Sequence, residues 1–231
     1  MDGLVSLATL GFLLGVRHAV DPDHIAAVSA IAAREASWRR AAMIGALWGV
    51  GHTATILLLG GAIIIFRLVI SARVGLALEL GVAVMLIMLG VLNVVRARAE
   101  SRARSTDTPA HSHAHDDVTC ATRPMRPLLI GMMHGLAGSA AIALMILAMV
   151  RDTVTSMAYL LLFGTGTIVG MMIVTTLVAL PAQVATKRAV SLRRWLTAGS
   201  GAVAIGVGLL LAYQIVGVSG FFSATPTWVP R

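Results

Sequence analysis

Six runs of apolar residues, each long enough to cross a bilayer (about 20 residues), recur along the chain. They run from about Leu4 to Ile31, Ala41 to Phe66, Val74 to Val95, Leu128 to Val150, Val154 to Leu180 and Trp195 to Val216. Polar segments carrying most of the charge separate them. None shows the ten-residue alternation of a lipid-embedded strand. Backbone N–H and C=O groups find no water in lipid, so these runs are predicted to be helices. The expected class is an all-α polytopic membrane protein of about six transmembrane helices.

The first run is broken by Arg17-His18-Ala19-Val20-Asp21-Pro22-Asp23-His24. A charged side chain near the middle of a span costs about 2.5–3.5 kcal/mol on insertion scales, so a cluster of them points to function. On an unbroken helix His18 and His24 would lie about 120° apart, and Asp23 about 140° from His18, too far to share one ion. Proline disfavours helix at the residue before it and suits the first turn of a new one, where Asp is a good N-cap. The spacing therefore predicts a break near Val20–Asp21 and a fresh helix from Pro22, which would gather His18, Asp23 and His24 around one point. Two plainer roles stand beside this: Asp21 capping the new helix, and Asp23 pairing with Arg17.

Composition narrows the class. Of 231 residues 58% are hydrophobic and only 12% charged, with mean hydropathy +0.88, which leaves too little polar surface for a soluble domain. Glycine, at 23 residues, suits close helix–helix approach in lipid. The net charge of +8 belongs to loops that set orientation, and no basic face interleaved with aromatics suggests a nucleic-acid partner. Basic residues concentrate after the first run (Arg34, Arg39, Arg40), after the third (Arg96, Arg98, Arg102, Arg104, Arg123, Arg126) and after the fifth (Lys187, Arg188, Arg193, Arg194). By the positive-inside rule those loops face the cytoplasm and both termini face outward. The single cysteine, Cys120, makes no intramolecular disulfide and no thiolate cluster. Asp2 rather than a basic residue opens the chain, so no cleavable signal peptide is expected.

A long polar segment divides the chain into residues 1–96, a flexible cytoplasmic loop 97–126, and residues 127–231. The two halves look related. Gly15-Val-Arg-His18 answers Gly131-Met-Met-His134, and Trp48-Gly-Val-Gly51 answers Phe163-Gly-Thr-Gly166. The interval from Gly15 to Gly49 is 34 residues and that from Gly131 to Gly164 is 33. Three spans per copy would insert the copies in opposite orientations, as two inverted three-helix repeats with a site where they meet.

His52, in Gly51-His52-Thr53, and His134, in Met133-His134-Gly135, are further intramembrane imidazoles flanked by glycine. Imidazole nitrogen with carboxylate oxygen suits nickel, cobalt and zinc. The candidate metal ligands are therefore His18, Asp23, His24, His52 and His134, with Asp21, Arg17, Thr53 and Ser139 in support. In the loop, His111, His113 and His115 form an accessory metal-binding composition.

The stretch His18-Ala-Val-Asp21-Pro22-Asp23-His24, preceded by Arg17 and followed by Ile25, resembles the signature of the nickel/cobalt transporter superfamily. Gly49-Val-Gly-His52-Thr53 is similar to that family's second histidine motif. His134-Gly-Leu-Ala-Gly138-Ser139 resembles its compact six-span, urease-accessory-like membrane branch. The resemblance implies nickel or cobalt permeation, with His18, Asp23 and His24 selecting the metal. Larger members carry an acidic motif in the second half, whereas Gly131 to Ala141 holds no carboxylate here.

The resulting expectation is a secondary permease, not an enzyme, in the bacterial cytoplasmic (inner) membrane. It would have Ni²⁺ or Co²⁺ as substrate, no permanently bound cofactor, and a use in supplying urease or hydrogenase. No phosphate-binding loop is present. The membrane potential would drive a divalent cation inward with about 4.6 kcal/mol at 100 mV, and acidification would weaken uptake because protonated imidazole binds no metal. The expected partners are membrane lipid and the metal ion; a homo-oligomer and a cytoplasmic metallochaperone both fit this reading. Alternatives are metal efflux by the same fold, an exporter of a small anion or sulfur compound using Arg17, an assembly helper that inserts metal into a partner, and a membrane metalloenzyme.

Overall fold

The computed structural model describes residues 2–32, 35, 37–66, 71–105, 125–136, 152–188 and 190–228. Within them the chain forms seven α-helices: α1 (Asp2–His18), α2 (Pro22–Ala32), α3 (Trp38–Phe66), α4 (Ala72–Ser105), α5 (Met125–Gly135), α6 (Thr153–Arg188) and α7 (Val190–Tyr213). A π-helical turn, Gln214–Val218, extends α7.

Four of these, α3, α4, α6 and α7 with its extension, are long and apolar enough to cross a membrane. At about 1.5 Å per residue, 29 residues of α3 outreach the roughly 30 Å hydrocarbon core. Their outward faces carry large apolar side chains such as Leu58, Phe66, Val154, Leu177 and Leu210, each more than half exposed. Exposure of that kind on every long helix belongs to lipid, not water. The protein is a helical membrane protein.

Six spans were expected; among the described residues four helices are long and apolar enough to cross. The first apolar run is divided into α1 and α2, of 17 and 11 residues, both shorter than the roughly 20 residues of an ordinary span. Of the fourth run only α5 falls within the described residues. The expected break is present: α1 ends at His18 and α2 begins at Pro22. The helix α4 continues to Ser105, so the first part of the segment expected as a loop is helical. Residues 106–124, with His111, His113 and His115, lie outside the described residues.

Packing relies on small residues. Helix α1 lies along α6, α3 lies along both α5 and α6, and α4 pairs with α7. At each seam a glycine faces backbone. A methyl group on Gly15 would meet the Phe163 carbonyl, one on Gly131 the Trp48 carbonyl, and one on Gly90 the Gly201 carbonyl. Helix α2 buries Ala26, Ala27, Ala30 and Ala32 among α4, α6 and α7. Near its end, buried Asn93 of α4 donates its amide N–H to the Ala30 carbonyl at 2.6 Å. That carbonyl is among the last four of α2, which have no helical partner of their own.

At the start of α6, exposed Asp152 accepts from the Thr155 hydroxyl and from the Thr155 backbone N–H at 2.8 Å, an N-cap. The Thr155 hydroxyl and then its N–H hold the Asp152 carboxyl below the usual range. The cap therefore contributes above the ordinary aspartate pKa and is lost as pH falls through the lowered value.

Candidate metal centre

The break between α1 and α2 is the element that builds the site. After His18 the backbone turns through Val20 N–H to the Arg17 carbonyl (3.0 Å) and Asp21 N–H to the His18 carbonyl (3.1 Å). The Asp21 carbonyl then accepts from Ile25 N–H at 3.0 Å, starting α2. Asp21 thus holds the N-cap position through its backbone. Its carboxylate is left to accept from His18 Nδ1 at 2.9 Å.

That contact fixes the imidazole. With Nδ1–H donating to Asp21, the neutral ring keeps its lone pair on Nε2. His18 Nε2 lies 3.1 Å from His52 Nε2, close enough for one N–H to be shared between them. Two nitrogens that share one metal at about 2.0–2.1 Å, with angles of about 90–109°, also sit about 2.9–3.4 Å apart. The separation suits either a proton or a metal ion.

In the first turn of α2 the pattern repeats with a different carboxylate. Asp23 Oδ1 accepts from His24 Nδ1 at 3.2 Å, and Asp23 Oδ2 accepts from His134 Nε2 of α5 at 3.0 Å. His24 stands in the middle of the group. Its ring centroid is 4.5 Å from His18, 5.1 Å from His52 and 4.3 Å from His134. His24, His52 and His134 have no exposed surface and His18 has 5%, so four imidazoles share one dry volume. Among the described residues nothing bonds to His24 Nε2, His52 Nδ1 or His134 Nδ1, all buried. Buried polar atoms are ordinarily satisfied, so these nitrogens are left available to a ligand. Two triads have ligand atoms within 4.8 Å of one another: His18, His24 and His52; and Asp23, His24 and His134.

All five residues expected to face a metal are therefore brought together, from α1, α2, α3 and α5. The supporting residues divide. Asp21 orients His18. Thr53 instead donates to the Gly164 carbonyl at 3.1 Å, holding α3 to α6. Arg17 is exposed and makes no hydrogen bond or ion pair with any described residue, so Asp23 is held by histidines rather than by Arg17. Ser139 lies outside the described residues.

Three contributors were not singled out in the sequence as parts of the site. Thr55 donates to the Met132 carbonyl at 3.1 Å and ties α3 to α5, setting His52 against His134. Trp48 stands edge-on to His134 at 5.5 Å and tilted to His24 at 5.8 Å. Phe163 covers His18 at 5.5 Å. The last two open the matching Trp48-Gly and Phe163-Gly motifs, which was the available signal. Thr55, one hydroxyl among many, gave none.

A bundle of membrane-length helices around a broken one, with buried imidazoles and a half-buried carboxylate beside the break, defines a polytopic helical membrane protein with a polar centre inside it. The chain belongs to the family of the urease accessory protein UreH. It is 34% identical over 186 residues to UreH of Bacillus sp. (strain TB-90), a match covering 80% of this chain and 81% of that protein. It is also 26% identical over 217 residues to the chloroplast protein FOR GROWTH AND FERTILITY 1 of Arabidopsis thaliana. That match covers 90% of this chain but 59% of the relative, so the chain spans about three fifths of that protein. No protein-family profile and no solved structure matches the chain.

Proposed function

We propose that this protein moves a divalent transition-metal ion, nickel before cobalt, across the bacterial cytoplasmic membrane. The observation that carries the reading is the convergence of His18, Asp23, His24, His52 and His134 inside the bundle, with three imidazole nitrogens unbonded among the described residues. Nitrogen and carboxylate donors together favour borderline metals over magnesium or calcium. A buried set of them replaces the hydration shell that an ion loses on leaving water. The name of the Bacillus relative, a urease accessory protein, makes nickel for urease the favoured cargo and use. Transport is secondary: the membrane potential draws the ion inward, and no cofactor is retained. The His111–His115 segment serves as a cytoplasmic chelator, with a metallochaperone beyond it.

The same reading takes the chain as six spans in two inverted three-helix units, both termini outside. Reciprocal contacts support it. Exchanging Gly15 with Gly131 and Phe163 with Trp48 turns the Gly15–Phe163 contact into the Gly131–Trp48 contact. Exchanging Phe12 with Leu128 and Gly166 with Gly51 turns Gly166–Phe12 into Gly51–Leu128. Such exchange is what two related halves packed about a two-fold axis produce; three spans in each half then make the copies inverted, with the substrate site where they meet.

The test is ⁶³Ni²⁺ entry into proteoliposomes under an inside-negative potential. Wild type is expected to accumulate the ion, with His24→Ala and Asp23→Asn reduced at least about tenfold, the scale on which even indirect ligand support matters. Equal accumulation in all three, at equal protein level, contradicts the reading.

A further inference from the structure

Resting on the transport reading, we propose that the centre holds its ion at two alternative stations that share His24, so that His24 hands the ion from one to the other. The five side chains do not close on a single point. His24 lies between the others, its ring centroid 4.3 Å from His134 and 4.5 Å from His18. The donors fall instead into two triads with His24 common to both.

His24 is equipped for both. Its Nδ1 lies against Asp23, a member of the second triad, and its Nε2 is unbonded and fully buried. Each station also has a carboxylate at its less buried edge. Asp21, which orients His18, is 32% exposed, and Asp23 is 19% exposed, against 5% or less for the four imidazoles. A path from Asp21 past His18 and His52 to His24, and on to Asp23 and His134, then has a carboxylate near each end and a dry middle.

The arrangement answers a general difficulty. A site that binds well enough to strip water from an ion also holds it too long, and conduction needs binding that is distributed and easily exchanged. An ion moving between these triads trades His18 and His52 for Asp23 and His134 while His24, common to both, stays beside it.

Full-length purified protein tests this with Ni²⁺ alone, by equilibrium dialysis for affinity and by ⁶³Ni²⁺ entry into proteoliposomes for flux. The variants are His52→Gln, His134→Gln and the double substitution, each compared as monodisperse protein; Asn replaces Gln where that condition fails. Alternative stations add their association constants, so losing one of two equal stations weakens binding only about twofold. Flux in each single variant falls at least about tenfold, and the double variant loses both binding and flux. One composite five-ligand site predicts that either single change weakens binding tenfold or more; that result overturns the hand-off while leaving transport standing. Full flux in either single variant also overturns it. Wild-type protein that carries no Ni²⁺ at all removes the transport reading itself, and the hand-off with it.

Discussion

At the scale of single residues the site is a set of tautomer decisions. Asp21 fixes His18 with Nε2 available, and Asp23 takes one N–H from His24 and one from His134. Replacing Asp21 by Asn leaves the backbone N-cap in place, because that role belongs to the Asp21 carbonyl. It weakens the acceptor that orients His18. The expected result is normal protein level with ⁶³Ni²⁺ flux reduced about 10- to 100-fold, the usual effect of losing a partner behind a metal-binding histidine. Unchanged flux in Asp21→Asn would mean that His18 needs no such orientation. Acidification acts on the same atoms, since an imidazole with both nitrogens protonated has no lone pair to give. Flux is expected to fall as the medium is acidified at constant potential, measured over a pH series in proteoliposomes.

At the scale of elements, much was legible because the causes are local. Asp21-Pro22 stops one helix and starts another through the geometry of proline itself, and the chain breaks where that dipeptide stands. Both ends of α3 and the start of α6 lie within three residues of the apolar runs that predict them, while α6 runs on past Leu180 to Arg188. The end of α4 was not legible from hydropathy. Arg96-Ala-Arg-Ala-Glu-Ser-Arg-Ala-Arg reads as polar and loop-like, yet arginine, alanine and glutamate are good helix formers, and the helix runs on to Ser105. Hydropathy marks where lipid ends, not where a helix ends. Seams between elements give a sharp prediction. A methyl group at Gly131 would strike the Trp48 carbonyl and indole, whereas one at Gly81 would meet nothing within 4 Å. Gly131→Ala is expected to destabilise the protein by about 1–3 kcal/mol, and Gly81→Ala to leave it unchanged or slightly more stable. Thermal unfolding in detergent, run on both variants, checks the contrast.

At the scale of the whole molecule, the long helices form a scaffold and the short ones carry the chemistry. His18 ends α1, Asp23 and His24 begin α2, and His134 lies in the last turn of α5. Only His52 sits within a long helix. Sequence reading reached the five residues because histidine and aspartate are conspicuous in apolar runs. It could not reach their order in space, which depends on how α5 lies along α3 and on the threonines that hold those helices together. It placed Thr53 and Arg17 beside the centre for the same reason: proximity along the chain stood in for proximity across it. The account depends on those buried imidazoles meeting one ion. X-ray absorption at the nickel edge of the Ni²⁺-loaded protein tests this directly. The expected spectrum carries the outer-shell scattering of at least two imidazoles, since each triad holds that many, and His24→Ala abolishes it. Nickel surrounded only by water and carboxylate oxygens, with a spectrum that His24→Ala leaves unchanged, would contradict the account.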